Sequence, residues 1–256
     1  MSGTFDARGD LDPDRPYFAV CLGRKGSGKS VMATLLFIGY PYDRVVIDVA
    51  GDDGPAGILP DGEEVIDLHG TVDTLPRRWP EHLRRDGRRM TLRYVPDAGS
   101  PTYVEDMDAI VALAYHTGRV ALLVHEVHQL APVNISPEKN KATQRLLQMG
   151  RHRRITFIAC GPRPKKTDGL VLSQADLVYV FDVPNPTDRR RIAEEIGWPP
   201  RELDAGVHDL GPHEYLRHDA NEPKPPTDDV PDLRLTHWDA LPPEVVDLVH
   251  RHRPEH

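Results

Sequence analysis

Residues 23–30 spell Gly-Arg-Lys-Gly-Ser-Gly-Lys-Ser, a glycine followed four residues later by Gly-Lys-Ser. Each residue type in this octapeptide suits the binding of phosphate. Gly23, Gly26 and Gly28 let the backbone turn tightly and bring its N–H groups against an anion's oxygens. Arg24, Lys25 and Ser27 fill the turn, and Val31 follows it. The helix expected to start near Lys29 directs the positive end of its dipole at the same oxygens. Lys29 is placed to reach the β- and γ-phosphates of a nucleoside triphosphate, and Ser30 to offer its hydroxyl to Mg²⁺. The pattern therefore points to an ATP-type ligand held by residues 23–31.

A phosphate loop works with a second strand that ends in acidic residues, one binding Mg²⁺ through water and a neighbouring glutamate polarising the attacking water. Residues 120–132 read VALLVHEVHQLAP. Glu126 occupies the glutamate position, but His125 stands where an aspartate is usual. Histidine has neither the negative charge nor the hard oxygen that Mg²⁺ prefers. Three arrangements remain open: Glu126 and Ser30 suffice for the metal, Asp48 at the end of another strand substitutes, or the site binds nucleotide with weak hydrolysis. His125 and His128 are three residues apart, not the four of a zinc-binding H-E-x-x-H helix, and the spacing excludes zinc here.

These residues need a scaffold. An apolar run at 17–22 enters the phosphate loop and a helix-compatible run at 31–38 leaves it. Further strand patterns lie at 44–49, 64–68, 91–95, 119–124, 155–160 and 177–183. Helices are expected at 72–86, 102–116, 139–149 and 187–196, the last capped by Thr187. Val104, Met107, Ile110, Val111 and Ala114 keep a 3.6-residue rhythm. Gly150 suits a C-terminal stop. Strands alternating with helices predict an α/β domain with a mainly parallel sheet. After about residue 199 the composition shifts to an acidic, Pro-rich stretch with PP at 199–200 and 242–243 and KPP at 224–226. The expected organisation is a loose N-terminal segment at 1–16, a core at 17–199 and an appendage at 200–256, with strand-like residues near 213–216 and a terminal helix near 243–252.

The chain of 256 residues is 39% hydrophobic and 28% charged. No apolar run approaches the ~20 residues of a membrane span, and the polar start lacks a signal-peptide core, so a cytoplasmic setting is expected. Cys21 and Cys160 lie in strand-like runs and read as buried thiols rather than a disulfide. The scattered histidines of the C-terminal quarter, His213 among them, read as surface residues. Net charge is −8, but it is segregated. Residues 201–256 hold thirteen acids against six Lys and Arg, whereas 139–167 has nine Lys and Arg and no acid. Residues 77–93 have seven Arg against Glu81 and Asp86. Such separation fits a polyanion-binding surface or, alternatively, solvated helix faces. The basic loop with Arg163, Lys165 and Lys166 is the candidate grip on DNA phosphates.

Five segments together resemble the FtsK–HerA superfamily of P-loop ATPases: GRKGSGKS, VVIDVAGDDG, ALLVHEVHQLAP, MGRHRRITFIACGPRP and LSQADLVYVFDVPNPTDRRRI, in this order across about 17–196. The resemblance implies a RecA/ASCE-like P-loop NTPase core that uses ATP and Mg²⁺. It gives Lys29 and Ser30 to phosphate and metal, and Glu126 to the role of general base. It makes Arg151 the first candidate for an arginine finger inserted into a neighbouring subunit, with Arg145, Arg153 and Arg154 as rivals; a surface or polyanion contact is the alternative for Arg151. One departure accompanies His125: Pro162 stands where the family commonly has a γ-phosphate-sensing Gln, and proline has no side-chain donor.

The function so implied is an ATP-hydrolysing motor that translocates or packages double-stranded DNA as a homo-oligomeric ring, a pentamer or hexamer. The compact size leans toward viral packaging, and two roles stay open for the acidic tail: docking a partner, such as a viral portal or other docking protein, or shielding the basic surface. The competing expectation, motivated by His125 and Pro162, is a nucleotide-binding assembly or regulatory protein with little turnover. A small-molecule kinase ranks last, because no lid or acceptor pocket is evident.

Overall fold

A computed structural model of the chain describes residues 15–51, 64–70, 90–162 and 164–221. The expected helices at 72–86 and 243–252 lie outside the described residues, as do Arg163 and the segment 222–256.

The chain alternates strands and helices as the sequence pattern requires. They are β1 (Phe18–Leu22), α1 (Lys29–Gly39), β2 (Arg44–Ile47), β3 (Glu64–Gly70), β4 (Met90–Pro96), α2 (Tyr103–Thr117), β5 (Ala121–Val124) and the short α3 (Val127–Leu130). There follow α4 (Lys141–Met149), a 3₁₀ turn (Gly150–Arg153), β6 (Thr156–Gly161), a second 3₁₀ turn (Pro164–Lys166), α5 (Gly169–Ser173), β7 (Leu177–Val180), α6 (Pro186–Ile196), α7 (Pro200–His208) and β8 (Leu216–Asp219). The strands form one sheet in the order β3-β4-β2-β5-β6-β1-β7-β8, parallel throughout except for the β7–β8 pair. This is the mainly parallel, helix-flanked P-loop NTPase arrangement that the sequence predicts.

Strand period two decides which helices meet which residues. Phe18, Val20 and Leu22 of β1 join Leu122, Val124, Phe157 and Ala159 on one face, covered by α2, α4, α6 and α7. Ala19 and Cys21 join Leu123, Ile158 and Cys160 on the other, covered by Met32, Ala33, Leu36 and Phe37 of α1. Each fully buried large side chain contributes about 1.5–3 kcal/mol. The helix next to the phosphate loop is therefore the one that seals its own face of the sheet. Tyr40 ends α1 in an extended conformation, ψ 128°, as a residue before Pro41 must.

Two boundaries differ from expectation. The cap of α6 is Asn185, whose Oδ1 accepts the Thr187 N–H at 2.8 Å; Pro186 takes the first helical position, for which its fixed φ is suited. Residues 200–219, assigned by composition to the appendage, are joined to the sheet. The Pro199-Pro200 pair opens α7 instead of breaking the chain, and Leu203 and Val207 enter the core. After it β8 pairs with β7 from Leu216↔Val180 to Leu177↔Asp219.

Candidate nucleotide site

The loop between β1 and α1 is built around glycines whose backbone conformation or crowding disfavours a side chain. Gly26 and Gly28 have φ of 82° and 103°, the left-handed region that a Cβ disfavours. Gly23 is excluded from substitution by crowding: a Cβ there would lie 2.5 Å from Ser27 Oγ and 2.7 Å from Phe181 Cβ. The loop is anchored to the neighbouring strand where Arg24 N–H donates to the Asp182 carbonyl at 2.8 Å, and the Arg24 guanidinium pairs with the Asp182 carboxylate. The first-turn N–H groups of α1 have no intrahelical acceptor and face the loop's hollow.

Lys29 is 6% exposed. Its ammonium donates to the Arg24 carbonyl at 3.4 Å, a long bond for a charge so deeply placed. Ser27 Oγ is buried with no hydrogen-bond partner among the described residues. A buried cation with one weak acceptor and a buried hydroxyl with none are the groups a bound phosphate would satisfy. A triphosphate fits the residues present.

Between β1 and the strand carrying Glu126 runs β6, so the two are separated by two strand spacings, ~10 Å. At the end of β6, Cys160 Sγ lies 3.8 Å from Ser30 Oγ. Burial drives the Cys160 thiol up to about 11, Lys29 and the Ser30 hydroxyl pull it down, and Glu126 pushes it up. The parallel order β5-β6-β1 sets Lys29, Ser30 and Glu126 at the same edge of the sheet. Glu126 sits at the sharp turn from β5 into α3 with φ 56° and ψ 51°. A left-handed glutamate carries strain of ~1–2 kcal/mol, of the kind that clusters at functional turns. Its carboxylate lies 3.4 Å from His128 Nδ1 and is one-third exposed. His125 continues the β5–β2 ladder, its N–H donating to the Ile47 carbonyl at 3.0 Å.

Asp48 lies at the same edge but in different company. Its Oδ2 accepts from Arg93 Nε at 3.0 Å and Nη2 at 2.7 Å, and its Oδ1 accepts the Gly51 N–H at 3.2 Å. Asp48 and Arg93 are 2% and 5% exposed. The aspartate's charge is neutralised within the protein, and Arg93, counted by composition with a polyanion-binding stretch, is a buried counter-ion.

The arginines after α4 stand apart from the phosphate loop. Arg151 Nη2 donates to the Gln174 carbonyl at 2.8 Å and pairs with Asp176 at 3.0 Å. Asp176 in turn accepts the Phe18 N–H at 2.7 Å, at the opposite end of β1 from the loop. Arg153 donates to the Tyr115 and His116 carbonyls, and the Arg145 guanidinium lies 5.0 Å from the centre of the Tyr115 ring. Arg154, exposed and left-handed at φ 56°, is the arginine of the set without such an anchor among the described residues. Lys165 and Lys166 are exposed on the turn after β6. That turn is tied to the chain following Glu126 by the Pro132↔Thr167 bridge and the Val133 N–H to Lys166 carbonyl bond at 3.1 Å.

Sequence reasoning did not single out Cys160, Asp182 or Arg93 for the site. Cys160 and Asp182 are marked by their places at the ends of parallel strands and Arg93 by the pairing of β4 with β2, signals that depend on strand order.

No family model and no curated protein matches this sequence. Among solved structures, the chain is similar to the genome packaging NTPase B204 from Sulfolobus turreted icosahedral virus 2 in complex with AMP, with TM-score 0.59, 19% identity, 82% of this chain and 95% of that chain covered. The AMPPCP complex of the same protein gives TM-score 0.58 at 19% identity, with the same coverage. The crystal structure of B204, the DNA-packaging ATPase from Sulfolobus Turreted Icosahedral Virus, gives 0.54 at 18% identity over 81% of this chain and 94% of that one. At such identity the likeness is one of fold, and it is the fold expected from the FtsK–HerA resemblance. Among the described residues no helix is long and apolar enough to cross a membrane.

Proposed function

We propose that this protein is an ATP-hydrolysing motor of the genome-packaging type, acting on double-stranded DNA as a homo-oligomeric ring. The observation that carries the reading is the parallel strand order β5-β6-β1, which brings Glu126, after β5, and the Lys29–Ser30 end of the phosphate loop, after β1, to one edge of the sheet two strands apart. The likeness in fold to B204, described as a DNA-packaging ATPase, supports it.

The loop amides of residues 23–31 and the Lys29 ammonium hold the triphosphate and neutralise charge on its β- and γ-oxygens. Ser30 and Glu126 are the residues that would hold Mg²⁺, which when bound shields phosphate charge. Asp48, committed to Arg93, stays outside that set. Glu126 accepts a proton from the water that attacks the γ-phosphorus, while the bond to the β–γ bridging oxygen breaks and ADP leaves. Arg154, rather than the anchored Arg151, reaches into a neighbouring subunit's site. Movement at Glu126 passes through residues 127–133 to the turn bearing Lys165 and Lys166, which grips DNA phosphates without reading sequence.

The test is steady-state ATP hydrolysis with and without double-stranded DNA. Stimulation by DNA that vanishes in Lys29→Ala and Glu126→Gln is expected. Equal rates with and without DNA, independent of Glu126, would overturn the motor.

A second reading, a nucleotide-binding assembly protein with weak turnover, is favoured by the engagement of Asp48 together with His125 and Pro162, which leave few groups for the metal and the γ-phosphate. Tight ATP binding without hydrolysis or DNA stimulation would select it.

A further inference from the structure

The sheet order gives the site a direction. Glu126 follows β5, two strands from the phosphate loop on one side. On the other side stand β7 and β8. If the terminal phosphate faces Glu126, the nucleoside end of the ligand extends over β7 and β8. What lies there is the connection between α7 and β8, and its tip is His213.

His213 is exposed and adopts a left-handed backbone, φ 65°. Its ring stands against the phosphate loop: a Cβ built on Gly28 would lie 3.5 Å from His213 Nδ1 and 3.2 Å from Phe181 Cε1. The turn around it is closed by Gly211, whose N–H donates to Glu214 Oε2 at 2.7 Å. Behind it, Tyr215 packs on Phe181 at 5.3 Å and on Tyr179 at 5.4 Å between ring centres. A non-glycine residue in the left-handed region persists where its surroundings determine it. Here they hold an imidazole at the mouth of the loop, on the side away from Glu126.

We propose that residues 211–215, with His213 at the tip, form the nucleoside subsite of this protein, in which the imidazole contacts the base or ribose while Gly23–Ser30 hold the phosphates. An imidazole stacks on any base and also carries a hydrogen-bonding edge. The proposal rests on the nucleotide reading of the phosphate loop and deepens it. It also gives β8 a role: pairing with β7 fixes the chain that carries His213 beside Gly28.

The experiment compares calorimetric affinities for ATP, AMP and inorganic tripolyphosphate in the full chain. His213→Ala is expected to weaken ATP and AMP about tenfold, with tripolyphosphate changed less than about twofold. His213→Asn, which tolerates the left-handed backbone, should lose the same discrimination while retaining the wild-type melting temperature. Equal weakening of ATP and tripolyphosphate, or no weakening of either, would overturn the subsite. Photolabelling with 8-azido-ATP supplies a measurement that does not require a variant to fold. Label on the peptide containing residues 211–215 is expected, and label confined to peptides from residues 44–51 or 125–133 would overturn the proposal. Lys29→Ala separates the two levels of inference: if it leaves ATP and tripolyphosphate affinity intact, the phosphate loop itself is misread, whatever His213 does.

Discussion

The two edges of the sheet use charge in opposite ways. At the edge where β1, β5, β6 and β7 end, Lys29 has, among the described residues, one long bond to a carbonyl, Ser27 Oγ has none, and Glu126 stands on a strained backbone. At the edge where β1 and β7 begin, Arg151 is fixed to Asp176 and the Gln174 carbonyl, and Arg153 to two carbonyls of α2. At the first edge Lys29 and Ser27 keep hydrogen-bonding capacity for a ligand, and at the second the two arginines are satisfied internally. Basic composition alone therefore says little about function; what matters is whether each cation already has its acceptor. Arg93 and Lys29 make the point within one edge, since both are buried and only Arg93 has a carboxylate at hydrogen-bonding distance.

Five substitutions or conditions sharpen this contrast, or break it. The largest effect is expected from Glu126→Gln, which removes the proton acceptor and keeps the shape. Turnover should fall by roughly 10²–10⁴, with ATP affinity within a few-fold of wild type; a small change in single-turnover rate would remove Glu126 from the chemistry. Next comes Arg93→Ala. Leaving Asp48 buried without its partner costs about 3–5 kcal/mol, a fall in melting temperature of roughly 10 °C, and replacing both residues by Leu should recover much of it. If Arg93→Ala instead melts normally and alters only the Mg²⁺ dependence of activity, Asp48 belongs to the metal site.

The third is a pH effect. The Cys160 thiol is raised from 9.0 to about 11, chiefly by burial. The unfolded thiol ionises first, so the folded state's contribution is complete below pH 9 and is lost as pH rises from 9 toward 11. The loss should reach about 2–3 kcal/mol, visible as a steeper alkaline fall in stability than in Cys160→Ser. Below pH 9 both thiols should resist alkylation until the chain unfolds. The smallest effect is Arg151→Ala. Because its pair is half exposed, the cost is about 1 kcal/mol, or ~2–4 °C in melting temperature, with turnover in the assembled protein within about twofold. Arg154→Ala should do the reverse: normal melting, normal ATP binding and turnover lowered at least tenfold. If Arg151→Ala abolishes turnover while melting normally, Arg151 is the finger and the contrast between the edges fails.

Much of this was legible in the chain. Residues 23–30 define the phosphate loop because its function is local: the glycines, the lysine and the helix start are consecutive, and their roles depend on backbone geometry within one turn. The strands at 17–22, 119–124 and 155–160 were readable because parallel strands buried on both faces are almost continuously apolar. The cap of α6 was missed by two residues because Asn185 and Thr187 are both good caps, and the Pro between them decides the matter. α7 was missed because Pro199-Pro200 looks like a breaker unless it sits at a helix's first turn. β8 was assigned to a tail because Leu216–Asp219 is a short polar edge strand without a periodic signal.

By itself the sequence determined the α/β class, the phosphate loop and the candidate glutamate, since these follow from residue order and local periodicity. Tertiary structure alone decided that Asp48 is bound by Arg93, that Cys160 lies among Lys29, Ser30 and Glu126, and that His213 stands beside Gly28. Each of these is a contact across strands distant in the chain, set by the order β4-β2-β5-β6-β1-β7-β8. That order is a global packing outcome, which no window of residues encodes.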